Sequence, residues 1–346
     1  PDLESAKEFL ERCIGAEFSV SDIEKKEGNR FPAAPFTTST LQQDAARKLR
    51  FSVSQTMNIA QKLYEHGLIT YMRTDSTNLS ALAINTAKKF ICENYGEEYS
   101  KVRQYKTKAK GAQEAHEAIR PTYIENTTIE GTPQEKKLYE LIWKRTVASQ
   151  MADAKMLRTD ISVSSDKGEE KFSVQASQVL FDGFLKLYIE GTDEPQQDDE
   201  MVILPEMNIG DRMIENGITA SCKFTSAPSR YTDASLIKKL EELEIGRPST
   251  YATIINTIIT RNYAKREGKM LVPTSLAEVT TNVITKYFPE IVDYEFTATL
   301  EDKLDSIENG AVSVEGVLGE FYNGFEKELE KADRSVSRQT VVVADE

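Results

Sequence analysis

Tyr71 and Arg73 are separated by one residue, and Asp75 follows at the same interval. In extended backbone, residues two apart project to the same side. A phenol and a guanidinium would therefore face one way, with a carboxylate beside them if the strand persists. A tyrosine next to a fixed arginine has the chemistry of a nucleophile for phosphoryl transfer. The free phenol titrates near pH ~10, so a neighbouring cation is needed to favour the phenolate. The planar arginine fork matches two phosphate oxygens and stabilises charge on a five-coordinate phosphorus. The alternative is a rim aromatic beside a surface Arg73–Asp75 ion pair, and spacing alone favours that second reading because so short a pattern is weak.

The flanking elements decide how such a group could be held. Val53, Met57, Ala60 and Tyr64 recur at helical spacing, and Gly67 is the residue type that closes a helix in the left-handed conformation. Residues 68–71 read as a short strand, followed by a polar run over 73–78. The helix over about 54–65 carries Gln61 and Glu65 one turn apart, either flanking the site or capping the helix. Thr37, Thr38, Ser39 and Thr40 offer N-caps for a helix to about Phe51 that bears Arg47, Lys48 and Arg50. Ser80 is expected to cap a helix to about Tyr95. Residues 101–110 hold five cations with Tyr105 among them, which suits either phosphate and base contacts or a charged loop. His116 and His66 are the two histidines; a lone histidine is more often structural than catalytic. Residues 138–150 read as a helix closing this part.

Beyond Met156 the periodicity becomes that of strands, at residues 157–163, 171–176, 183–189, 211–214 and 218–224. Residues 16–23 alternate in the same way after an amphipathic helix over 2–14. The C-terminal part reads as a helix capped at Thr232 or Asp233, a turn at Gly246, a second helix from Ser249 to about Asn262, and a hairpin with Gly268 near its tip. That order is the outline of a winged helix. Arg247, Ser249 and Thr250 would gather a cation, hydroxyls and free amides at a helix N-terminus, where phosphate is readily bound. For the two hydroxyls, ordinary capping is the simpler reading. Three further helices to about Ala332 complete the chain. The fold class is therefore α+β and multidomain: an antiparallel β arch (1–30 with 154–229), a helical tyrosine-bearing insertion (31–153), and a partial winged-helix-like domain (230–346).

Composition sets outer limits. The chain has 346 residues, 39% hydrophobic and 29% charged, with a net charge of −13. By segment, residues 31–153 carry +4, 1–30 carry −3, and 154–229 and 230–346 carry −7 each. The most basic segment thus bears Tyr71, and acidic charge gathers in the solvated loop over 191–200. Such a balance suits selective contact with a single nucleic-acid strand better than coating of a duplex. No apolar run is long enough for a membrane span, and no signal peptide is expected. Cys13, Cys92 and Cys222 are few, odd in number and scattered, the pattern of reduced thiols in a cytoplasmic protein. No Cys or His spacing suggests a zinc site, and no metal ligands are assigned.

The block Ile69-Thr70-Tyr71-Met72-Arg73-Thr74-Asp75-Ser76 resembles the active-site signature of type IA DNA topoisomerases. Three more blocks resemble that family in the same order: Phe36-Thr37-Thr38-Ser39-Thr40-Leu41-Gln42, Glu114-Ala115-His116-Glu117-Ala118-Ile119-Arg120-Pro121, and Gly246-Arg247-Pro248-Ser249-Thr250-Tyr251-Ala252. Met72 is more similar to the bacterial topoisomerase I branch than to topoisomerase III, which has proline there. The resemblance implies transient cleavage of one DNA strand through a 5′-phosphotyrosine on Tyr71, strand passage and ATP-independent religation, relaxing negatively supercoiled DNA. It implies Tyr71, Arg73 and His116 as catalytic residues. It implies DNA contacts at Gln61, Glu65, Asp75, Arg247, Ser249, Thr250 and Arg261. Magnesium would be held by an N-terminal TOPRIM domain, for which this chain offers no acidic counterpart, so the chain is expected to be incomplete alone and to partner that domain and single-stranded DNA. A cytoplasmic, nucleoid-associated location follows. The rival readings are a topoisomerase III or reverse gyrase fragment, and a non-catalytic single-strand-binding module.

Overall fold

The computed structural model describes residues 3–105, 116–189 and 205–335. Its contacts fall into two units. The first comprises Pro1–Pro32, Ile91–Lys101 and Met151–Pro228; the second comprises Ala33–Phe90, Val102–Gln150 and Ser229–Glu346.

The first unit is α1 (Leu3–Cys13) and an antiparallel sheet of β1 (Phe18–Arg30), β2 (Ala154–Ser165), β3 (Lys171–Phe181) and β4 (Arg212–Met213), in the order β3-β2-β1-β4. β1 pairs with β2 from Phe18 opposite Ser165 to Arg30 opposite Ala154, with one irregularity between Val20 and Asp22. At ~3.3 Å per residue this ribbon is about 40 Å long. Phe18, Val20 and Ile161 are buried, as is Ala154 at the Arg30 end, and the rings of Phe9 and Phe18 meet Phe172 at 5.6 and 5.8 Å.

Two expected strands are absent here. Residues 183–189 begin instead with a 3₁₀ turn, Gly183–Lys186. Gly183 has φ +48°, and a Cβ there would stand 2.5 Å from the Ala152 and Asp153 carbonyls. That close approach, fixed by the Phe184 N–H donating to the Ala152 carbonyl at 2.9 Å, excludes a strand. Residues 218–224 form no element, and Phe224 is 89% exposed. Among the described residues their alternation has no partner strand to bury it. Residues 211–214 contribute only the two residues of β4.

The second unit holds α2 (Thr38–Asp44), α3 (Val53–Glu65), α4 (Ala81–Asn94), α5 (Pro133–Ser149), α6 (Asp233–Glu242), α7 (Tyr251–Thr260), the hairpin β5 (Ala264–Glu267) and β6 (Met270–Pro273), α8 (Ser275–Tyr287), α9 (Tyr294–Glu308) and α10 (Val314–Ser335). The last turns of α4 group with the first unit. Thr37 caps α2 in a reciprocal box with Thr40, and Thr132 caps α5 in the same way with Glu135. α5 buries Leu138, Ile142 and Val147, and its Trp143 indole donates to the Ile124 carbonyl at 2.8 Å. Burial pushes the neighbouring Tyr139 phenol up to about 12.

α2 does not run on to Phe51. It passes into a π turn, Ala45–Leu49, and stops at Arg50 in the left-handed conformation (φ +57°). α7 starts at Tyr251 with no side-chain cap, so Ser249 does not cap it. Val53, Ile237, Tyr251 and Ile255 form one buried cluster that ties α3, α6 and α7 together. The hairpin turns at Gly268, φ +61°. All three cysteines are free, and among the described residues no helix is long and apolar enough to cross a membrane.

Candidate functional site

α3 delivers the chain to Tyr71. Gly67, at φ +70°, ends the helix; its N–H donates to the Tyr64 carbonyl (2.8 Å) and the Leu68 N–H to the Leu63 carbonyl (2.9 Å). This double closure is the Schellman motif. The segment that follows is not the expected strand of residues 68–71. It is a single bridge, Ile69 to Pro121, extended by the Thr70 N–H to the Arg120 carbonyl (2.9 Å) and the Thr122 N–H to the Leu68 carbonyl (3.0 Å). Its far side is held by α2, where the Thr38 N–H donates to the Thr74 carbonyl at 2.8 Å. Two short pairings replace a strand because Thr70 turns its hydroxyl onto the Ala118 carbonyl (2.7 Å) rather than continuing a ladder.

Period-two alternation survives this irregularity. Met72, Thr74 and Ser76 are 1–2% exposed, whereas Tyr71 is 43% exposed, Arg73 is exposed and Asp75 is half-buried. Tyr71 packs edge-on against Tyr64, ring centroids 5.3 Å apart. Among the described residues neither the Tyr71 hydroxyl nor the Arg73 guanidinium has a hydrogen-bond or ion-pair partner. The Arg73–Asp75 ion pair of the simpler reading is not formed. Asp75 instead lies near Glu241 and Tyr251. Partial burial of the Glu241 carboxylate, reinforced by Glu242 and Asp75, holds its pKa above the usual range against the Ser39 hydroxyl bond at 2.7 Å.

The other sequence-assigned residues are distributed as follows. Gln61 and Glu65, on the last turns of α3, bond to each other at 2.7 Å. His116 is exposed, two residues before Ala118, whose N–H donates to the Asn78 carbonyl. Its neighbour Glu117 accepts from the Ser80 N–H and from Arg120, both at 2.6 Å. Partial burial opposes ionisation of Glu117, yet these bonds and the Arg120 charge hold its pKa below the usual range. Arg247 is engaged by Glu301 (3.6 Å) and Asp305 (3.3 Å) of α9. The Thr250 hydroxyl accepts from the Arg247 N–H (2.8 Å), so it braces the turn. Arg261 is exposed at the opposite end of α7, about 15 Å away at ~1.5 Å per residue. Of the basic stretch 101–110, Lys101 pairs with Asp153 and Tyr105 donates to the Ser149 carbonyl at 3.1 Å. Lys106, Lys108 and Lys110, with Glu114 and the acidic loop over 191–200, lie outside the described residues.

Arg73 and Ser249 both line a cleft of about 400 Å³ in the second unit. One wall is α3, through Ser54, Met57 and Asn58; the other is the α7 face of Thr253, Asn256, Thr257 and Thr260. Those four recur at i, i+3, i+4 and i+7, opposite the face that buries Ile255. They were missed as site residues, although the three- and four-residue spacing of hydroxyl and amide groups was the available signal. The cleft offers one cation and many neutral donors and acceptors, a surface that can follow a phosphodiester backbone without fixing its sequence. Among the described residues no group of three or more His, Cys, Asp or Glu could hold a metal ion.

A family profile described as DNA topoisomerase matches residues 1–319. The chain is 49% identical to DNA topoisomerase 1 of Mycolicibacterium smegmatis, covering 95% of this chain and 36% of that protein. It is 46% identical to DNA topoisomerase 1 of Streptomyces coelicolor, covering 93% and 35%. A solved structure of full-length topoisomerase I from Thermotoga maritima aligns with TM-score 0.76 at 35% identity, covering 94% of this chain and 54% of that one. The chain thus spans about a third of the length of these curated relatives.

Proposed function

The chain belongs to the DNA topoisomerase family, and from that premise we propose that it is the strand-cleaving core of a type IA, topoisomerase I enzyme. The single observation that carries this reading is the solvent-facing pair of Tyr71 and Arg73 on a segment whose intervening residues are buried. In the longer protein the Tyr71 oxygen attacks a phosphodiester of one DNA strand. A phosphorus–oxygen bond forms to the tyrosine and the bond to the 3′ oxygen breaks. The 5′ phosphate remains on the protein and the 3′ oxygen leaves as a hydroxyl, taking a proton. Arg73 offsets the charge on the non-bridging oxygens, and His116 positions the same phosphate. The reverse attack reseals the strand, and because the phosphotyrosine conserves the bond energy no ATP is needed.

DNA reaches the site along the cleft between α3 and α7, with Gln61, Glu65 and Asp75 beside the nucleophile and Ser249, Thr250 and Arg261 along the track. Arg247 can join only by leaving Glu301 and Asp305, so its contribution is conditional on that exchange. The substrate is negatively supercoiled DNA with single-stranded character, and strand passage draws on bending of the long β1–β2 ribbon. The three-part division into β arch, tyrosine-bearing insertion and winged-helix-like part belongs to this proposal. The described residues hold no group of three or more His, Cys, Asp or Glu that would fit magnesium. A TOPRIM domain elsewhere in the longer polypeptide would bring it, and the chain alone would not cleave DNA.

The test is Tyr71→Phe in the longer protein. Relaxation of supercoiled plasmid is expected to fall to background while single-strand binding persists. Unchanged relaxation would reject Tyr71 as the nucleophile and leave the single-strand-binding module as the better reading.

A further inference from the structure

Thr38 is the first residue of α2 and is fully buried, at 0% exposure. Its hydroxyl lies 2.8 Å from the Met72 carbonyl and 3.1 Å from the Thr74 carbonyl, and accepts from the Thr74 N–H at 2.8 Å. Its own N–H donates to the Thr74 carbonyl. The peptide unit before Arg73 is therefore held through its carbonyl, and the unit after Arg73 through its N–H, by one hydroxyl. Rotation of either peptide would swing the guanidinium away from the face it shares with Tyr71. The next residue, Ser39, donates to Glu241 of α6, and Gln43 donates back to Ser39 at 3.0 Å. The first turn of α2 thus has its own anchor and does not move freely with the segment it holds.

Resting on the function proposed above, we infer that Thr38 is a positioning residue for strand cleavage. Its hydroxyl sets the direction in which Arg73 leaves the backbone, and so sets how well Arg73 meets the attacked phosphate. Thr38 itself touches no DNA. Valine at this position keeps the shape but removes both the donor and the acceptor. Serine keeps both.

The experiment uses the longer protein and a labelled single-stranded oligonucleotide. Thr38→Val is expected to slow cleavage on the order of 100-fold, the penalty of misplacing a catalytic group by about 1 Å, with KM unchanged. Thr38→Ser recovers most of the rate. In an Arg73→Ala background Thr38→Val adds little further loss, because the two residues act on one interaction. A Thr38→Val protein that cleaves at the parental rate overturns the inference. So does a loss that multiplies undiminished in the Arg73→Ala background, the result of a purely structural role. Should valine prevent folding, as read by circular dichroism, Thr38→Cys supplies the comparison: its weak donor should leave an intermediate rate, and a parental rate would count against the inference. Tyr71→Phe separates the levels. If it still cleaves, both proposals fall; if it is dead while Thr38→Val is normal, only the role of Thr38 does.

Discussion

Glu117 and Glu241 are both carboxylates near the Tyr71 segment, and their surroundings push them in opposite directions. Glu117 is held below the ordinary carboxylate range by Ser80 and Arg120. Its contribution is therefore complete above the unfolded pKa and is lost as pH falls through the lowered folded value. Glu117→Gln should cost about 1–2 kcal/mol at pH 7 through the weakened charged bond to Arg120. The deficit should begin to shrink as pH falls below the ordinary carboxylate range, about pH 4, and should vanish only below the lowered folded value. Denaturant unfolding at the two pH values checks this, and equal stability at pH 7 would contradict it. Glu241 is raised by burial and by Glu242 and Asp75. Its protonated form is favoured in the folded state, so its contribution is present at low pH and lost as pH rises. Glu241→Gln retains an acceptor for Ser39 and should match or exceed parental stability at pH 7, with the difference vanishing near pH 4.

At the scale of elements, α3 was largely legible because its apolar residues repeat at helical spacing and it has a stop signal the structure uses. Gly67 is that signal for α3. Nothing lies within 4 Å of where its Cβ would be, so Gly67→Ala tests backbone conformation alone. The cost should be about 1 kcal/mol, read in urea unfolding; no loss would show that the turn adapts. The two strands that failed, 183–189 and 218–224, failed for reasons local propensity cannot carry. Gly183 is drawn against the carbonyls of Ala152 and Asp153, which are distant in the pattern being read. The alternation over 218–224 has no strand to pair with among the described residues. The Tyr71 segment is the instructive case, since its face alternation was readable while its pairing partners, Thr38 and Arg120, come from elsewhere in the chain. The neutral face of α7 offers a further check. Thr253→Val with Asn256→Leu should weaken single-strand binding several-fold, at about 1 kcal/mol of lost hydrogen bonding. The salt slope should not change, because no cation is removed. Arg261→Ala should instead flatten the slope by about 0.7 per phosphate contact. A slope change in the first variant would place a cation, not the polar face, at the contact.

Across the whole molecule, a net charge of −13 means that DNA is not attracted by the sum of the charges. On the proposed function, binding depends on the local cleft and should be modest in its salt dependence. The proposed chemistry, in contrast, converges on one oxygen atom. The most direct measurement is covalent capture: the longer protein, with magnesium, is mixed with a 5′-to-3′ defined, labelled single-stranded oligonucleotide, quenched in denaturant, and the adduct peptide sequenced by mass spectrometry. The prediction is a denaturation-resistant adduct in which the 5′ phosphate of the cleaved strand sits on Tyr71, absent from Tyr71→Phe. An adduct on another residue, or cleavage without any adduct, would contradict it.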